Sequence, residues 1–348
     1  MESLIEFTGD LSLALSRTII GSLLISGILY LMVKVCTAML GRDRPSFSYG
    51  IYVMVLLTIL VTSVFLFCVQ YRPGTSGEPL PTGTLGAVMA LVPGEPAGGM
   101  QRGRLIHEII ARGYFTGLIL FSLRWIFSWM RVRRRVLKAL EPPAYLAALA
   151  ENLKLTLDIR RRLKIRVSSD IDGPFLFGVW RPVIVIPTGM VTHMPMAQVE
   201  TILIHELIHL KRLDFLVNLI QTILEVILFF NPFVWVLSKQ IRITREQRCD
   251  DHVVDAGHAP AVYAEALLNL SLLRGQRGRP VPGALGEGKK TLLYRIQRLL
   301  NDHNMKRKKM NRTFPVILLV AVFTILTISS FRQGFITIEK HPSEGIDH

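Results

Sequence analysis

Cysteine is scarce in this sequence, and its spacing argues against a disulfide framework and against a cysteine-based zinc site. Three cysteines occur in 348 residues, Cys36, Cys68 and Cys249, and no two of them form a C-x-x-C pair. Proteins that depend on disulfides or on cysteine zinc sites carry these residues in close, regular spacings. The sequence therefore indicates neither a disulfide framework nor a cysteine-based zinc site.

Acidic residues are also few. The chain carries 26 Asp+Glu against 41 Lys+Arg, a net charge of +15, while 50% of its residues are hydrophobic and its mean hydropathy is +0.38. This combination is typical of a membrane protein whose positive charges flank its spans on the cytoplasmic side. A nucleic-acid-binding protein is the competing interpretation of the charge. Because the basic residues lack interleaved aromatic side chains, we expect no nucleic-acid partner.

The N-terminus lacks the basic region of a cleaved signal peptide, so we expect the first apolar run to be retained. Segments 11–40, 50–70, 114–130 and 314–330 have the length and apolarity of membrane spans.

Basic residues determine the expected orientation. They cluster at 42–44, 131–138 and 306–312, which the positive-inside rule assigns to the cytoplasm. The expected layout is a three-span region over 1–130 with an extracellular loop at 71–113, a cytoplasmic domain over 131–313, a fourth span at 314–331 and a short extracellular tail at 332–348.

The cytoplasmic region mixes helical and strand patterns. A helix is predicted over 143–157, a strand over 164–168, two short strands within 174–187, and a helix over 196–213. The strands predict a small sheet with an exposed edge.

The apolar stretch 215–237 contains several polar residues and a central Asn231-Pro232. A membrane-contacting helical hairpin that turns at Asn231-Pro232 fits this pattern better than a single crossing, and a helix buried in the domain is the alternative. Farther on, 292–301 predicts a basic amphipathic helix carrying Arg295 and Arg298.

The residues most suggestive of chemistry are His205-Glu206-x-x-His209, within a predicted helix. Residues four apart lie on one helical face, so the two imidazoles can bind one ion beside a glutamate that serves as general base. Such a short pattern also occurs by chance, and its context decides between the two interpretations.

A catalytic zinc needs a third protein ligand. Glu246 and Asp250, again four apart, fit two roles: Glu246 as the ligand, and Asp250 as hydrogen-bond acceptor for a ligating imidazole. The alternative is a solvated, charged helix face.

Several motifs together resemble one family. They are H-E-L-I-H-L-K-R-L-D, N-P-F-V-W, R-E-Q-R-C-D-D, Y-A-E-A-L-L and P-F-L-F-G-V-W-R-P-V-I-V-I-P. They look like the membrane zinc metallopeptidases of the BlaR1/MecR1 type (peptidase M56), which are gluzincins and receptors of bacterial β-lactam resistance. The resemblance implies an α-helical integral membrane protein of about four spans, with an α+β cytoplasmic gluzincin-like domain, in the bacterial cell membrane.

The resemblance also implies site residues. Zn²⁺ would be bound by His205, His209 and Glu246, with Glu206 as general base and Asp250 as outer partner. Asp214 matches the family motif too, with a structural role given the same weight as a catalytic one.

The implied activity is zinc-dependent endopeptidase action on a regulatory protein, such as a transcriptional repressor, within transmembrane signalling. Self-cleavage within 275–312, contact with membrane lipid and a homodimer are further expectations. The predicted substrate-binding edge comprises Pro174, Phe175, Leu176, Phe177 and Gly178. Candidates for an oxyanion donor are Tyr263, His252 and His258, whereas His193 and His107 are expected at the surface.

One departure from the family concerns its sensor. The β-lactam receptors carry a penicillin-binding domain after the last span, and the tail that ends at His348 has no S-x-x-K. A naturally sensorless relative and a truncated form are both open, so β-lactam sensing is not implied.

Two other functions stay open. One is a protease that processes other membrane or prenylated proteins. The other is a non-catalytic receptor or scaffold with a structural zinc, although such a site has no need of Glu206.

Overall fold

The computed structural model describes residues 2–39, 45–71, 100–276 and 289–301. Its elements, in chain order, are α1 (Glu2–Met39), α2 (Pro45–Gln70), α3 (Met100–Lys138), α4 (Ala144–Thr156), β1 (Lys164–Ser168), β2 (Phe175–Phe177), β3 (Val183–Pro187), α5 (Thr188–His193), α6 (Met196–Lys211), α7 (Asp214–Ile227), α8 (Pro232–Asp255), α9 (Pro260–Gln276) and α10 (Lys289–Asn301). The predicted fourth span at 314–331 and tail at 332–348 lie outside these residues, as does most of the predicted self-cleavage segment.

Three of the described helices are long and apolar enough to cross a membrane, over Thr8–Ala38, Pro45–Gln70 and Gly103–Lys138. The third predicted span lies inside a longer helix that begins at Met100, so residues 100–113 of the predicted loop 71–113 are helical. Hydropathy detects only the apolar window of a helix. The polar turns before it remain helical, and Arg112 pairs with Glu108 one turn away at 2.8 Å.

The described chain divides into two compact units. The first is drawn from Met1–Ile119 and Ile227–Lys239, and the second from Leu120–Val226 and Gln240–Lys308. The turn between α7 and α8 therefore belongs to the same unit as the apolar helices α1 and α2.

Asn231 anchors that turn. It is fully buried; its side-chain amide donates to Ser26 Oγ on α1 at 2.8 Å, and its Oδ1 accepts the Phe233 N–H at 3.0 Å. The second bond caps α8, whose first residue is Pro232, a residue without an N–H to satisfy. The Phe233 ring lies against Gly27 of α1, where a Cβ would come within 3.2 Å of the ring. Helix α7 ends at Ile227 and α8 begins at Pro232, on either side of this turn, and the membrane contact of the hairpin predicted over 215–237 stays a prediction.

The second unit contains a three-stranded sheet of order β1-β3-β2. The first strand runs parallel to β3, and β2 runs antiparallel to it. Central β3 is the most apolar strand, and Ile184, Val185 and Ile186 are fully buried, so both of its faces are covered. β2 lies at the edge, as the pattern in 174–187 predicts.

Helix α6 is the central helix of this unit. It contacts β2, α4 and α9, and its apolar residues Leu203, Leu207 and Leu210 are almost completely buried. Neighbours on every side explain why nearly all of α6 is buried, including polar His205 and Glu206. The residues with the predicted chemistry are thus located in the best-packed part of the second unit.

We expect Asn231→Leu to destabilise the full chain by about 1–2 kcal/mol, because Ser26 Oγ and the Phe233 N–H both lose a buried partner. Thermal unfolding in detergent measures the effect. Thr58→Val is the matched control, since the Thr58 hydroxyl is exposed and bonds only the Met54 carbonyl of its own helix. Equal melting temperatures for the two variants would contradict the anchoring role of Asn231.

Candidate metal centre

The two imidazoles of the H-E-x-x-H motif converge. His205 and His209 lie one turn apart on α6, their Nε2 atoms are 3.1 Å apart, and their rings meet edge to face at 86°. Glu206 follows His205 on the same helix and is 8% exposed. The helix thus brings the two imidazoles of the motif together.

Glu246 on α8 approaches the same point. Its Oε2 lies 3.3 Å from His205 Nε2, and its Oε1 lies 3.7 Å from His209 Nε2. One ligand atom from each of the three residues falls within 4.8 Å of the other two. Two side chains of α6 and one of α8 therefore meet in a space that one ion can occupy.

The outer nitrogen of His209 contacts Asp214. Its Nδ1 lies 2.8 Å from Asp214 Oδ2, and Asp214 is 4% exposed. The chain reverses sharply between α6 and α7 at Leu213, whose φ of 57° lies in the left-handed region that non-glycine residues rarely adopt. This turn brings Asp214, five residues farther along the chain, back onto the imidazole.

The outer nitrogen of His205 contacts Tyr263 of α9. Nδ1 lies 2.8 Å from the Tyr263 hydroxyl, which donates to Asp250 Oδ1 at 2.7 Å. A hydroxyl that donates to a carboxylate accepts from the imidazole, so Nδ1 carries a proton and Nε2 is the nitrogen that can bind a metal. Asp250 is itself 3.4 Å from Nδ1, and the hydroxyl is the closer partner.

Tyr263 was named from the sequence as a candidate oxyanion donor, and its position is different. The ring is completely buried, and its hydroxyl lies behind His205, on the side opposite Nε2. A group at that position cannot also reach a substrate carbonyl beside Nε2. No sequence spacing indicated the actual contact, since Tyr263 lies on another helix.

The environment favours positive charge on both imidazoles. Burial alone would lower the pKa of His205, but hydrogen bonds with Asp250 and Glu246 outweigh burial and raise that pKa to about 9. The pKa of His209 also rises well above its usual value, because the neighbouring Cys249 and Glu246 groups outweigh the opposing effect of burial. A cation at this position, whether proton or metal, is what the surrounding groups stabilise.

The carboxyl groups respond in the opposite direction. Burial would raise the pKa of Glu246, but the facing imidazoles and the Arg295 guanidinium hold it well below its usual value. Burial opposes the same shift in Asp250, whose pKa is lowered by Arg295 and His205. Both groups are therefore carboxylates near neutral pH.

The donor set fits zinc. Two imidazole nitrogens and one carboxylate are a common set of protein ligands in catalytic zinc sites, with a further position open for water. The two Nε2 lone pairs face each other at 3.1 Å, an arrangement that repels unless a cation or proton lies between them. The geometry thus favours an ion between His205, His209 and Glu246.

A second group of potential ligands, His209 Nδ1, Asp214 and Cys249, lies close by. Arg212 approaches both acidic members, at 3.5 Å from Asp214 Oδ1 and 3.7 Å from Cys249 Sγ. This second group offers one imidazole nitrogen, which already faces the Asp214 carboxylate, whereas the first group offers two imidazole nitrogens that face each other.

The predicted substrate-binding residues lie at the edge of the sheet. Phe175, Leu176 and Phe177 form β2, which pairs with β3 along one side and packs against α6. Gly178 ends the strand with a φ of 95°, and a Cβ there would meet the Arg181 carbonyl oxygen at 2.8 Å. In the part of the chain that the structure describes, the other side of β2 pairs with no strand.

The other histidines in the described part of the chain lie outside this cluster. His252 is exposed on α8, and His258 is in the loop before α9. His193 is exposed, as expected for a surface residue. His107 differs from the expectation, because its Nδ1 lies 2.6 Å from Ser16 Oγ on α1 in a partly buried contact.

Comparison with known proteins identifies the family. Residues 15–299 match the model of the BlaR1 peptidase M56 family. The chain belongs to this family. With three helices long and apolar enough to cross a membrane, this M56 member is a membrane protein, and the resemblance stated from its motifs is confirmed.

Individual relatives match shorter stretches. The methicillin resistance MecR1 protein of Staphylococcus aureus is 32% identical over 119 residues, which are 34% of this chain and 20% of the relative. The regulatory protein BlaR1 of Bacillus licheniformis is 37% identical over 95 residues, 27% of this chain and 16% of the relative. BlaR1 of Staphylococcus aureus is 26% identical over 219 residues, 59% of this chain and 37% of the relative. The matches thus cover well under half the length of these relatives.

The raised pKa of His205 predicts how stability depends on pH when metal is removed with a chelator. A pKa raised in the folded state contributes stability that is complete below the unfolded value of 6.5 and is lost as pH rises through about 9. We expect a loss on the order of 3 kcal/mol over this interval.

Unfolding in detergent, followed across this pH range, tests the effect. The slope should be shallower for His205→Gln than for wild type, whereas His193→Gln, at an exposed position, should keep the wild-type slope. Parallel curves for all three proteins would show that His205 does not carry the pH dependence.

Proposed function

We propose that this chain is an integral-membrane zinc metalloendopeptidase whose active site faces the cytoplasm. The observation that carries the proposal is the convergence of His205 Nε2, His209 Nε2 and the Glu246 carboxylate within 4.8 Å. Membership in a peptidase family supports the reaction class. The proposed domain is a gluzincin-like α+β unit, with zinc ligands from α6 and α8.

The outer contacts support this ligand assignment. A ligating histidine usually donates its other N–H to an acceptor, which fixes the tautomer and ring orientation. Asp214 contacts the Nδ1 atom of His209 in this way. The Tyr263 hydroxyl, which donates to Asp250, contacts the Nδ1 atom of His205. Both rings are thereby held with Nε2 toward Glu246.

Zinc bound at such a site acts as a Lewis acid, which makes a water molecule nucleophilic near neutral pH. Glu206 would take the proton of that water as the scissile carbonyl is attacked, and would then deliver it to the departing amine. Its burial beside His205 restricts access of bulk water, which favours transfer to the reacting groups.

The edge of β2 suits a peptide substrate. An extended segment can pair with the free side of an edge strand through backbone hydrogen bonds, which confers little sequence preference. The edge strand packs against α6, which carries the proposed ligands His205 and His209. We therefore propose that residues 174–178 hold the substrate extended beside the metal.

The proposed cytoplasmic orientation rests on charge. Residues 131–138, at the end of α3, include four arginines and a lysine, and such clusters remain on the cytoplasmic side of bacterial membranes. A regulatory protein, such as a transcriptional repressor, is the proposed substrate, by analogy with relatives named as regulatory or resistance proteins. Lipid contact and a homodimer stay predictions.

A metal assay tests the ligand assignment. We expect about one zinc per purified chain, full retention in Glu206→Ala, and strongly weakened binding in Glu246→Ala, since only the latter removes a ligand. Glu265→Ala is the matched control, an exposed glutamate on α9. Undiminished zinc in Glu246→Ala would refute the assignment.

Self-cleavage tests the catalytic role of Glu206. The segment 275–312 is the proposed cleavage region, and zinc-loaded wild type should produce fragments that end there. Glu206→Ala should bind zinc yet stay intact, because it lacks the base. Fragments identified by gel and mass spectrometry give the result. Identical patterns in both proteins would mean that another protease makes the cuts.

A further inference from the structure

Helix α10 contributes a buried arginine to the neighbourhood of the candidate metal centre. Arg295 is 5% exposed, although the sequence predicts only a basic amphipathic helix. Its Nε lies 2.7 Å from Asp250 Oδ2, and its Nη2 lies 2.5 Å from Asp250 Oδ1. This bidentate contact fixes the orientation of the carboxylate. Without it, burial of the guanidinium would carry a large desolvation penalty.

The same guanidinium reaches two further groups. Nη2 lies 3.2 Å from the Tyr263 hydroxyl, and Nη1 lies 3.6 Å from Glu246 Oε2. Arg295 thus contacts Asp250 and Tyr263, the two residues of the hydrogen-bonded chain behind His205. It also contacts the proposed zinc ligand Glu246.

We infer that Arg295 is a positioning residue for the metal centre. It orients the Asp250 carboxylate so that Oδ1 accepts the Tyr263 hydroxyl, whose oxygen in turn accepts the His205 Nδ1 proton. It also restrains Glu246 on the opposite side of the ligand set. This inference rests on the proposed function, since it assumes that His205 and Glu246 bind zinc.

Charge supports this role. Asp250 is 1% exposed, and a carboxylate so deeply buried needs a cationic partner. Arg295 meets that need through two hydrogen bonds, so Asp250 does not require the metal as its cationic partner. The carboxylate therefore stays in the outer position instead of turning toward the ion.

A consequence concerns α10 as a whole. Its apolar residues Leu292, Ile296 and Leu299 pack into the core of the second unit, and this packing delivers Arg295 to Asp250. Metal affinity should therefore depend on a helix that supplies none of the proposed ligands.

A matched pair of variants in the full-length protein tests the inference. Arg298 lies one turn from Arg295 and also anchors α10 to α8, pairing with Asp251 and donating to the Gln247 carbonyl at 3.1 Å. Neither Asp251 nor Gln247 is a proposed ligand or an outer partner of one. Arg298→Gln therefore reproduces the loss of a helix anchor but leaves the hydrogen bonds from Arg295 through Asp250 and Tyr263 to His205 in place.

Zinc affinity, measured by competition with a chromogenic chelator, is the readout. We expect Arg295→Gln to bind zinc about 10–100-fold more weakly than wild type, as is usual when an outer partner of a ligand is removed. Arg298→Gln should stay within a few-fold of wild type. Arg295→Lys should fall between, because an ammonium keeps the charge but cannot bind both carboxylate oxygens.

A second measurement covers the case in which Arg295→Gln folds poorly. Asp250→Asn removes the carboxylate that Arg295 orients. If Arg295 acts through Asp250, the double variant Asp250→Asn with Arg295→Lys should bind zinc no more weakly than Asp250→Asn alone. The absorption spectrum of the cobalt-loaded proteins reports ligand geometry, and it should change for Arg295→Lys but not for Arg298→Gln.

The outcomes separate the inference from the proposed function. If wild type binds no zinc, the proposed function fails. If wild type binds zinc but the Arg295 and Arg298 variants lose affinity equally, Arg295 serves only to dock α10 and the inference is overturned. Additive losses from Asp250→Asn and Arg295→Lys would overturn it too.

Discussion

The constraint on which this site depends is the approach of two imidazole nitrogens to 3.1 Å inside a buried region. Such an approach is unfavourable unless a cation lies between the nitrogens and each ring is held from behind. Asp214 holds one ring, and Tyr263 with Asp250 holds the other. The turn at Leu213, the packing of α9 on α6 and the docking of α10 all serve this arrangement.

The candidate metal centre is therefore built from the same helices that pack into the hydrophobic core of the second unit. The proposed ligands and their supports come from α6, α7, α8, α9 and α10, and apolar residues of these helices contribute to the main hydrophobic cluster together with α4, α5 and the sheet. Metal binding to such a site stabilises the fold, because the ligands are assembled only in the folded chain. Stability and catalysis should therefore be linked here more closely than in an enzyme with a site on surface loops.

Much of the fold follows from local pattern. The strand over 164–168 and the helix bearing His205 were predicted close to their observed bounds, because hydrophobic periodicity is a local signal. The chain turns near Asn231 as predicted, but α8 continues to Asp255, well past the predicted end of the hairpin at 237. The start of α3 was missed, since hydropathy does not register polar helical turns. Tyr263 was assigned a different role and the burial of Arg295 was not foreseen, because both depend on contacts between helices.

The sequence by itself determined the chemistry that is available: two histidines and a glutamate on one helix, and a glutamate and aspartate four residues apart on another. Spacing suffices there, because residues one helical turn apart share a face. Only the tertiary structure decided which nitrogen of each ring faces inward, and that a tyrosine stands between His205 and Asp250. It also brought Arg295 from the last described helix to that carboxylate. These features depend on how helices distant in the sequence pack together, and no local pattern encodes that packing.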